Sequence, residues 1–461
     1  MSKENNNTAA TSESKPRETW SGRVGFVFAT AGSAVGLGNI MKFPWMTGQY
    51  GGAAFLFTYI IVMTIVGVGM LMCDFLIGRN GKANAIASYQ KINKYFPWMG
   101  YLGLLCALLA LAYYAVFGGW MMYYMLASFG PLSQGLSADQ VGVFFGNFTG
   151  AIGGPLLGTA IFLILTVLIV MRGIKNGIEK ASRIMMPLLL VILVILMARV
   201  IMLPGASKGI SYYLKPDFSK ITFTVVAAAV GQVFFSLNIG TTGMVNYGSY
   251  LKDDENVPKS TLLVTLTDFA VAFCAGFIVI PAAFAFGLEP GQGPGLLFVT
   301  MPALFSDLPL GGVWNLLFFT LLLFASLTSS VSILEILVPY LTETFPTRFN
   351  RKSASVVGGI LCMLLGIPVS FSFGIWGNVQ IFGLGIFDLY DRFICVIGFP
   401  MIALGTAILV GWVWGKQNAM AAISNHGTLK SWVQPVWFFL VKWICPVFLF
   451  VVVLSGLGII K

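Results

Sequence analysis

Apolar residues run along this chain in long stretches that are separated by short polar segments. Stretches long enough to cross about 30 Å of hydrocarbon recur from Val24 to the C-terminal end, and we count about eleven of them. Their centres lie near Gly36, Val62, Ala110, Ile164, Leu193, Gly240, Ala275, Leu323, Leu361, Met401 and Val451. The pattern predicts an all-α polytopic membrane protein with about eleven transmembrane helices.

Two of the predicted spans are interrupted at mid-length by polar and flexible residues. The segments GSAVGLGN at 32–39 and SLNIGTTG at 236–243 each combine glycines with an asparagine and hydroxyl groups. One such cluster alone could equally serve close helix packing. Backbone that leaves the helical pattern inside a bilayer must line a cavity, and paired interruptions in two halves of a chain mark a transporter site. We therefore predict that spans 1 and 6 are broken helices that meet near the midplane.

The spacing of the two interruptions predicts an internal repeat. Spans 1 to 5 and spans 6 to 10 each begin with a broken helix, as expected for two five-helix repeats with inverted topology. We expect a disordered cytoplasmic tail over 1–16, a first repeat over 17–203 and a second repeat over 204–416. Residues 417–461 would supply helix 11 as an addition to the 5+5 arrangement.

Composition and charge agree with a membrane protein and set its orientation. The chain is 57% hydrophobic and 10% charged, with a net charge of +10. Most basic residues cluster in alternate loops, so they indicate topology and not a nucleic-acid partner. The clusters are Arg79, Lys82, Lys91 and Lys94 after span 2, Arg172, Lys175, Lys180 and Arg183 after span 4, and Arg348, Arg351 and Lys352 after span 8. This bias predicts a cytoplasmic N-terminus and, with short external loops, a multi-pass protein of a prokaryotic plasma membrane.

Motifs for catalysis are not found in the sequence. The six cysteines lie within or beside apolar spans without CxxC spacing, which indicates packing residues. Phosphate-binding loops, metal-ligand clusters and nucleophile–base pairs are missing as well, so we predict neither an enzyme nor an organic cofactor. An ion channel or pore subunit remains the alternative to a transporter, because it would also place polar residues at the midplane.

The chemistry of the two breaks suits a zwitterion together with small cations. Amides at a half-helix N-terminus favour a carboxylate, while freed carbonyls and C-terminal ends favour cations. Neutral hydroxyl and amide oxygens suit a hard ion such as Na⁺. The segment Ala325-Ser326-Leu327-Thr328-Ser329-Ser330 in span 8 adds further hydroxyl groups, although interhelical hydrogen bonding would also explain it.

Three motifs resemble those of the neurotransmitter:sodium symporter family, and particularly its bacterial hydrophobic amino acid transporters. They are GSAVGLGNIMKFPW at 32–45, GQVFFSLNIG at 231–240 and FASLTSS at 324–330. The resemblance implies a leucine transporter-like fold and a symporter that couples inward Na⁺ movement to amino acid import by alternating access. Sodium, a hydrophobic amino acid and the lipid bilayer are then the expected partners.

The resemblance implies two sodium sites. The first would be formed by Ala34, Asn39 and Ser236 with a residue of span 7, and the second by Gly32, Val35, Ala325, Thr328 and Ser329. A gapless match in span 7 points to Thr267, but a carboxylate is the stronger partner for Na⁺, which favours Asp268. A carboxylate there resembles chloride-independent relatives, so we expect chloride independence.

A substrate site is implied by the same motifs. Relatives that carry monoamines have an aspartate in the first break, whereas this chain has Gly36, so the substrate must bring its own carboxylate. The expected contacts are Ser33, Ala34, Leu37, Gly38, Ala110, Tyr114, Phe235, Ser236, Asn238, Thr241, Ser329 and Ile333. Because Ala110 and Thr241 replace bulkier groups, the expected substrates are large hydrophobic amino acids, branched or aromatic, with tryptophan among the candidates.

Gates on both sides are also implied by the resemblance. Lys42 and Asp391 match an extracellular charged pair, with lysine in place of arginine. Arg17 and Trp20 match an inner latch, assisted by Ser249 and Tyr250, with Glu343 in place of an aspartate. Gly177 and Pro187 bracket the start of span 5, where we expect unwinding to admit water to the second sodium site, although a kink for packing is the alternative.

Overall fold

The structure is a computed structural model that describes residues 18–287, 295–429 and 432–456. It consists of helices joined by loops, as the hydropathy pattern predicts. Within this part of the chain, nine helices are long and apolar enough to cross a membrane, and a bent pair, Arg23–Ala34 with Gly38–Gln49, makes a tenth. A second discontinuous pair, Phe223–Ser236 with Gly243–Ser249, occupies the position of the remaining predicted span.

The spans are numbered here in chain order. Span 1 is the bent pair and span 6 is the second discontinuous pair. The other spans are Ala53–Gly81 (span 2), Pro97–Ala127 (span 3), Gly153–Val170 (span 4), Ile174–Ile201 (span 5), Val257–Ala285 (span 7), Gly311–Thr344 (span 8), Arg351–Ser372 (span 9), Ile386–Ile423 (span 10) and Val433–Leu454 (span 11). The predicted tail over 1–16, Arg17 and the C-terminal end of helix 11 lie outside the described residues.

Span 1 breaks where the glycines predict it. The first helix ends at Ala34, Val35 is extended, and the second helix begins at Gly38 at an angle of 53° to the first. A Cβ at Gly36 would lie 2.5 Å from the Ser329 hydroxyl, so only glycine lets span 8 approach the break this closely. The Asn39 side-chain oxygen accepts a hydrogen bond from the Gly36 N–H at 3.1 Å. The break interrupts the helical hydrogen bonds here, so this contact satisfies one buried donor.

Span 6 breaks over a longer segment. Asn238, Gly240 and Thr242 all have positive φ angles, and the backbone of Gly240 passes so close to the Phe399 carbonyl that a Cβ would lie 2.4 Å from its oxygen. Asp74, a buried carboxylate of span 2, accepts a hydrogen bond from the backbone of Gly240. The break is therefore fixed by contacts from two neighbouring spans, and it exposes backbone groups to the interior.

The remaining spans enclose the two breaks. Span 8 is the most deeply enclosed, because 94% of its apolar 18-residue segment is buried. The same fraction is only 33% in span 4, 39% in span 5 and 28% in span 11. Their outward faces carry apolar side chains such as Leu157, Ile164 and Val191. An apolar surface of this kind suits contact with lipid tails, so the breaks lie inside and spans 4, 5 and 11 at the periphery.

Span 5 begins with a π-helical segment, Ile174–Glu179, and continues as an α-helix over Lys180–Ile201. Gly177 lies in the π-helical segment, and Pro187 lies inside the continuous α-helix. The backbone at Gly177 runs directly against the Ile169 carbonyl. Span 5 is thus wound in this structure, with an irregular first turn and an internal proline.

Candidate functional site

Asp268 of span 7 is the centre of a buried polar cluster that joins both breaks. Asn39 Nδ2 donates to Asp268 Oδ1 at 2.7 Å and to its backbone oxygen at 3.1 Å. The hydroxyl of Ser236, at the end of the first helix of span 6, donates to Asp268 Oδ2 at 2.8 Å. Asp268, Asn39 and Ser236 are all fully buried. Three of the residues predicted for the first sodium site therefore meet in one place.

The neighbouring Thr267 lies elsewhere. Its hydroxyl donates to the Leu263 carbonyl of its own helix at 2.8 Å, and its side chain is partly exposed on the outer side of span 7. Ala34, the remaining residue of the predicted set, is buried at the last turn before the first break. The structure brings Asp268, and not Thr267, into contact with Asn39 and Ser236.

The residues predicted for the second sodium site gather where span 8 crosses the first break. The Ser329 hydroxyl donates to the Ser33 carbonyl at 3.1 Å and to the Val35 carbonyl at 3.4 Å. The Thr328 hydroxyl donates to the Phe324 and Ala325 carbonyls of its own helix at 3.0 and 3.1 Å. Thr328 also lies beside Gly32, since a Cβ on that glycine would be 3.4 Å from the threonine Cβ.

Span 5 closes this second cluster from the side. Met186 is the residue before Pro187. Its side chain lies 3.3 Å from the position that a Cβ on Gly32 would occupy. Met186 is fully buried, so it separates the cluster from the outer face of span 5. Met186 thus packs between span 5 and Gly32 of span 1.

A ring of neutral polar groups connects the two breaks. Asn238 Nδ2 donates to the Ser33 carbonyl at 2.5 Å, and Ser33 Oγ donates to Ser332 Oγ at 2.7 Å. Thr241 donates to the Asn238 carbonyl at 2.8 Å. Ser332 is absent from the predicted set, although it follows Ser329 by three residues on the same helix face and could have been found from that spacing.

Two aromatic residues lie against the first break. The Tyr114 hydroxyl makes a hydrogen bond with the backbone of Leu37, and the Phe235 ring packs against Gly38, whose Cβ would lie 2.8 Å from Cδ1. Ala110, one turn before Tyr114, and Ile333 are buried on spans 3 and 8, which pack along each other. The predicted substrate contacts thus surround the interruption of span 1 from three other spans.

A cavity of about 450 Å³ opens on the side of the breaks marked by Lys42. Its lining comes from the second helix of span 1, spans 3, 6 and 10, and the end of span 9 with the loop that follows it. The residues are Leu37, Met41, Lys42, Trp45, Tyr113, Phe117, Phe235, Ser372, Phe373, Gly377, Gln380, Gly385, Phe387, Asp388 and Asp391. Leu37 and Phe235 therefore form its inner end, where the cavity meets the predicted substrate contacts.

Lys42 and Asp391 are joined through a thiol. Lys42 Nζ donates to Cys395 Sγ at 3.7 Å, and Cys395 Sγ donates to Asp391 Oδ1 at 3.2 Å. The ammonium group also lies 4.4 Å from the centroid of the Phe235 ring. Cys395 is a functional candidate that the sequence did not indicate, because we interpreted all six cysteines as packing residues.

The opposite side of the breaks is sealed by Trp20, which is only 2% exposed. Its indole Nε1 donates to the Tyr247 carbonyl at 3.1 Å, and its backbone N–H donates to the Tyr250 carbonyl at 3.3 Å. The rings of Tyr247, Tyr250 and Phe26 pack around the indole. Trp20 therefore lies where the latch is predicted, whereas its predicted partner Arg17 lies outside the described residues.

The acidic residues near this seal differ in their partners. Glu343 accepts hydrogen bonds from the backbone and side-chain nitrogens of Asn84 at 2.7 and 2.9 Å. The fully buried Glu335, which the sequence did not single out, binds Arg351 through both carboxylate oxygens at 3.2 and 2.6 Å and accepts from the Tyr250 hydroxyl at 2.8 Å. Ser249 donates to the Asn246 carbonyl at 2.5 Å within its own short helix.

A cavity with a largely aromatic lining lies at the Lys42 end of the arrangement, and Trp20 covers the other end. Between them lie a buried carboxylate, amide and hydroxyl oxygens, and the backbone of two breaks. These hard oxygen donors fit Na⁺ better than softer metals. The arrangement combines oxygen groups suited to small cations with backbone groups of the two breaks.

Comparison with known proteins gives concordant results. Residues 17–136 and 147–460 match the sequence model described as the sodium:neurotransmitter symporter family. The chain is 35% identical to the "uncharacterized sodium-dependent transporter YhdH" of Bacillus subtilis, over 98% of this chain and all of that protein. It is 27% identical to the rabbit "sodium- and chloride-dependent creatine transporter 1", over 95% of this chain and 77% of that protein.

A solved structure is also similar. The crystal structure of MhsT in complex with L-phenylalanine matches with a TM-score of 0.89 and 37% sequence identity, covering 96% of this chain and all of that one. The similarity extends over both breaks and the spans that enclose them.

Proposed function

The chain belongs to the sodium:neurotransmitter symporter family, and from this premise we propose that it imports hydrophobic L-amino acids together with two Na⁺ ions by alternating access. The observation that carries the proposal is the cluster in which Asn39, Ser236 and Asp268 join both breaks. A Na⁺ ion entering this cluster would replace hydrogen-bond donors around a buried carboxylate. Ion binding would thereby fix spans 1, 6 and 7 in one arrangement.

Charge balance couples the ion to the substrate in this proposal. The amides of Leu37 and Gly38 begin the second helix of span 1, and a helix N-terminus favours a carboxylate. The substrate's carboxylate would sit there and complete the ligands of the first Na⁺, while its ammonium group would face the carbonyls of Ala34 and Phe235. Each partner lowers the electrostatic cost of burying the other, which is the physical basis of symport.

The substrate class follows from three observations. Gly36 leaves no carboxylate in the first break to bind a free amine, so a zwitterion is favoured over a monoamine. Ala110, Thr241 and Ile333 are buried, and the small side chains of Ala110 and Thr241 favour a bulky substrate. The structurally similar MhsT was solved with L-phenylalanine bound. We propose branched and aromatic amino acids, tryptophan included, as substrates.

Chloride independence is a further part of the proposal. Asp268 supplies a fixed negative charge beside the first cation site, where chloride-dependent relatives use an anion. Because a permanent carboxylate performs the same electrostatic task, removal of chloride should leave uptake intact.

We assign the Lys42 end to the outside of the cell and the Trp20 end to the cytoplasm, in agreement with the distribution of basic residues. The second Na⁺, held by the carbonyls of Gly32, Val35 and Ala325 and the hydroxyls of Thr328 and Ser329, would leave towards the cytoplasm. Met186 blocks that route while span 5 is wound. Unwinding between Gly177 and Pro187 would move Met186 away and admit water.

The rival proposal of a channel is less well supported. A channel needs a continuous pore in its open state, whereas here the cavity at the Lys42 end meets a seal at Trp20. Only the sequential opening of two gates would carry a solute past both ends.

The experiment that tests the function uses purified protein in proteoliposomes. An inward Na⁺ gradient should concentrate radiolabelled phenylalanine or leucine above the external concentration, and choline in place of Na⁺ should abolish accumulation. Competition by each of the twenty unlabelled amino acids ranks the substrates. Uptake that only equilibrates the label would support a channel and overturn the proposal.

A further inference from the structure

A polar cavity of about 410 Å³ lies at the Trp20 side of the molecule, away from both breaks. It is formed by the end of span 2, the loop after span 6 and the helical end of span 10 with the turn that follows. Its lining residues are Leu76, Arg79, Asn80, Lys82, Asp253, Trp414, Asn418, Ala421, Ala422, Asn425 and His426. The transport cycle described above assigns no task to this cavity.

The wall of the cavity is basic. Arg79 is buried, and its three described partners are neutral oxygens, namely the Glu255 and Ala422 carbonyls and Asn425 Oδ1. Lys82 donates to the Leu251 carbonyl and pairs with Asp253 at 2.9 Å. The guanidinium therefore hydrogen-bonds to neutral oxygens, while the carboxylates of Asp253 and Glu255 lie close enough to balance part of its charge without bonding to it. Its charge and that of Lys82 remain available to an anion that displaces Asp253.

Asp253 would compete only weakly with a bound anion for Lys82. Its hydrogen bond with Lys82 holds the pKa of the Asp253 carboxyl below its ordinary value, but its side chain is 88% exposed. Exposed ion pairs contribute little to stability because water competes for both partners. An anion with several oxygens that reached Lys82 and the cavity wall together could displace this carboxylate.

The turn beyond span 10 holds a third basic group at the cavity. Asn425, His426 and Gly427 all have positive φ angles, a strained arrangement for two side-chain-bearing residues in succession. Two hydrogen bonds stabilise this backbone conformation. The His426 N–H donates to the Ala421 carbonyl, and Arg79 donates to the Asn425 side chain. As a result the His426 side chain lines the cavity together with Arg79 and Lys82.

Tryptophan and lysine residues beside the cavity indicate that it lies towards a membrane–water interface. Lys442 lies 4.8 Å from the ring centroid of Trp412 and 5.4 Å from that of Trp443, and the Trp412 indole donates to the Lys442 carbonyl. Tryptophan and lysine concentrate at membrane–water interfaces. Trp414, two residues after Trp412, lines the cavity itself.

We propose that this cavity binds a phosphate ester, with Arg79 and Lys82 as its cationic groups and His426, Asn80 and Asn418 as further hydrogen-bonding groups. The tryptophan and lysine residues beside the cavity favour the headgroup of an anionic phospholipid in the leaflet on the Trp20 side. Bound phosphate would act on the inner gate through Glu255, which accepts from Arg79 through its carbonyl and from Arg23, at the start of span 1, through its carboxylate at 2.7 Å.

The test uses the full chain in lipid nanodiscs, with lipids that remain bound counted by native mass spectrometry and thermal unfolding as a second readout. We expect phosphatidylglycerol to be retained and phosphatidylcholine to be lost. Lys82→Gln and His426→Ala should each weaken retention about tenfold, as for loss of a charge-assisted hydrogen bond. Asp253→Asn should strengthen it, because the competing carboxylate is removed.

Lys416→Gln is the matched control, since Lys416 is exposed on the same surface but does not line the cavity. A separate arm adds glycerol 3-phosphate to protein in phosphatidylcholine nanodiscs. Stabilisation by glycerol 3-phosphate would support a phosphate site that takes a soluble ligand. An effect of phosphatidylglycerol alone would support a site for the lipid headgroup. The proposal is overturned if neither ligand binds, if Lys416→Gln weakens retention as much as Lys82→Gln, or if Asp253→Asn fails to strengthen it. None of these readouts requires transport.

Discussion

Asn39 and Asp268 are 229 residues apart in the chain, yet the amide nitrogen of one lies 2.7 Å from a carboxylate oxygen of the other. This contact ties the interrupted middle of span 1 to the intact helix of span 7. It places a buried carboxylate beside the first break, where the proposed Na⁺ ion and zwitterion would meet.

Asp268→Asn should weaken Na⁺ binding by about tenfold or more, since hydrogen bonds and ion contacts to a charged group are worth about 1.5–3 kcal/mol. Thr267→Val is the matched control on the adjacent residue, and it should leave Na⁺ affinity unchanged because that hydroxyl bonds only to its own helix. Equilibrium binding of radioactive Na⁺ to the purified variants measures both. Equal losses in the two variants would contradict the assignment.

Chloride dependence provides a separate measurement at the same position. Wild-type uptake should be the same in sodium chloride and in sodium gluconate. If the Asp268 charge is what replaces an anion, residual uptake by Asp268→Asn should respond to chloride. A wild-type protein that loses transport without chloride would show this part of the proposal to be wrong.

The size of the substrate pocket can be changed at Ala110. Ala110→Val adds bulk beside a packed site, and overpacking of this kind costs about 1–3 kcal/mol. Phenylalanine and tryptophan should lose more affinity than valine, while Ala110→Gly should shift the preference in the opposite direction. Competition uptake with these amino acids gives the ranking. A parallel loss for all substrates in Ala110→Val would indicate a general packing defect.

The thiol bridge between Lys42 and Asp391 is predicted to slow substrate escape to the outside. Cys395→Val removes both hydrogen bonds and should speed substrate dissociation about two- to fivefold, as expected for a weak hydrogen bond. Cys395→Ser keeps a donor and an acceptor in the same place and should restore slow dissociation. The rate is measured by washing out labelled substrate in the presence of Na⁺. If valine and serine variants release substrate equally fast, the bridge does not control the gate.

Pro187→Ala should stiffen span 5, because it restores an amide donor to the helix and removes a clash with the preceding turn. We expect less hydrogen exchange over 174–187 and slower transport at unchanged Na⁺ affinity. Pro368→Ala, an internal proline of span 9, is the control for a general helix effect. Unchanged exchange and transport in Pro187→Ala would favour a packing kink over an unwinding site.

Glu335 is fully buried, whereas its partner Arg351 is 23% exposed and also donates to the Val170 carbonyl. Glu335→Ala leaves the guanidinium in contact with water and Val170, so we expect a loss of about 1.5–3 kcal/mol, as for hydrogen bonds to a charged group. The double variant with Arg351→Ala should lose less than the sum of the single variants. Thermal unfolding of the three proteins in detergent provides the comparison. Additive losses would mean that the two side chains act independently.

The breaks could be predicted because glycine, asparagine and hydroxyl residues are conspicuous within apolar stretches. The choice between Thr267 and Asp268 could not, because adjacent residues differ by about 100° around a helix and hydropathy does not fix how span 7 is rotated. Cys395, Ser332 and the Glu335–Arg351 pair were missed for a related reason. Ser332 could have been found from its spacing to Ser329, but the contacts of Cys395 with Lys42 and of Glu335 with Arg351 join different spans. Such contacts depend on helix rotation and depth.

The positive φ angles in the break of span 6 bear on the rates of the steps in the proposed transport cycle. Asn238, Gly240 and Thr242 already hold positive φ angles in this structure, so the proposed substrate site needs no backbone change at span 6 before binding. Substrate binding should then be fast and limited by diffusion into the cavity at the Lys42 end. The slow stage of turnover would be the reorientation of entire helices that returns the empty carrier to its starting position.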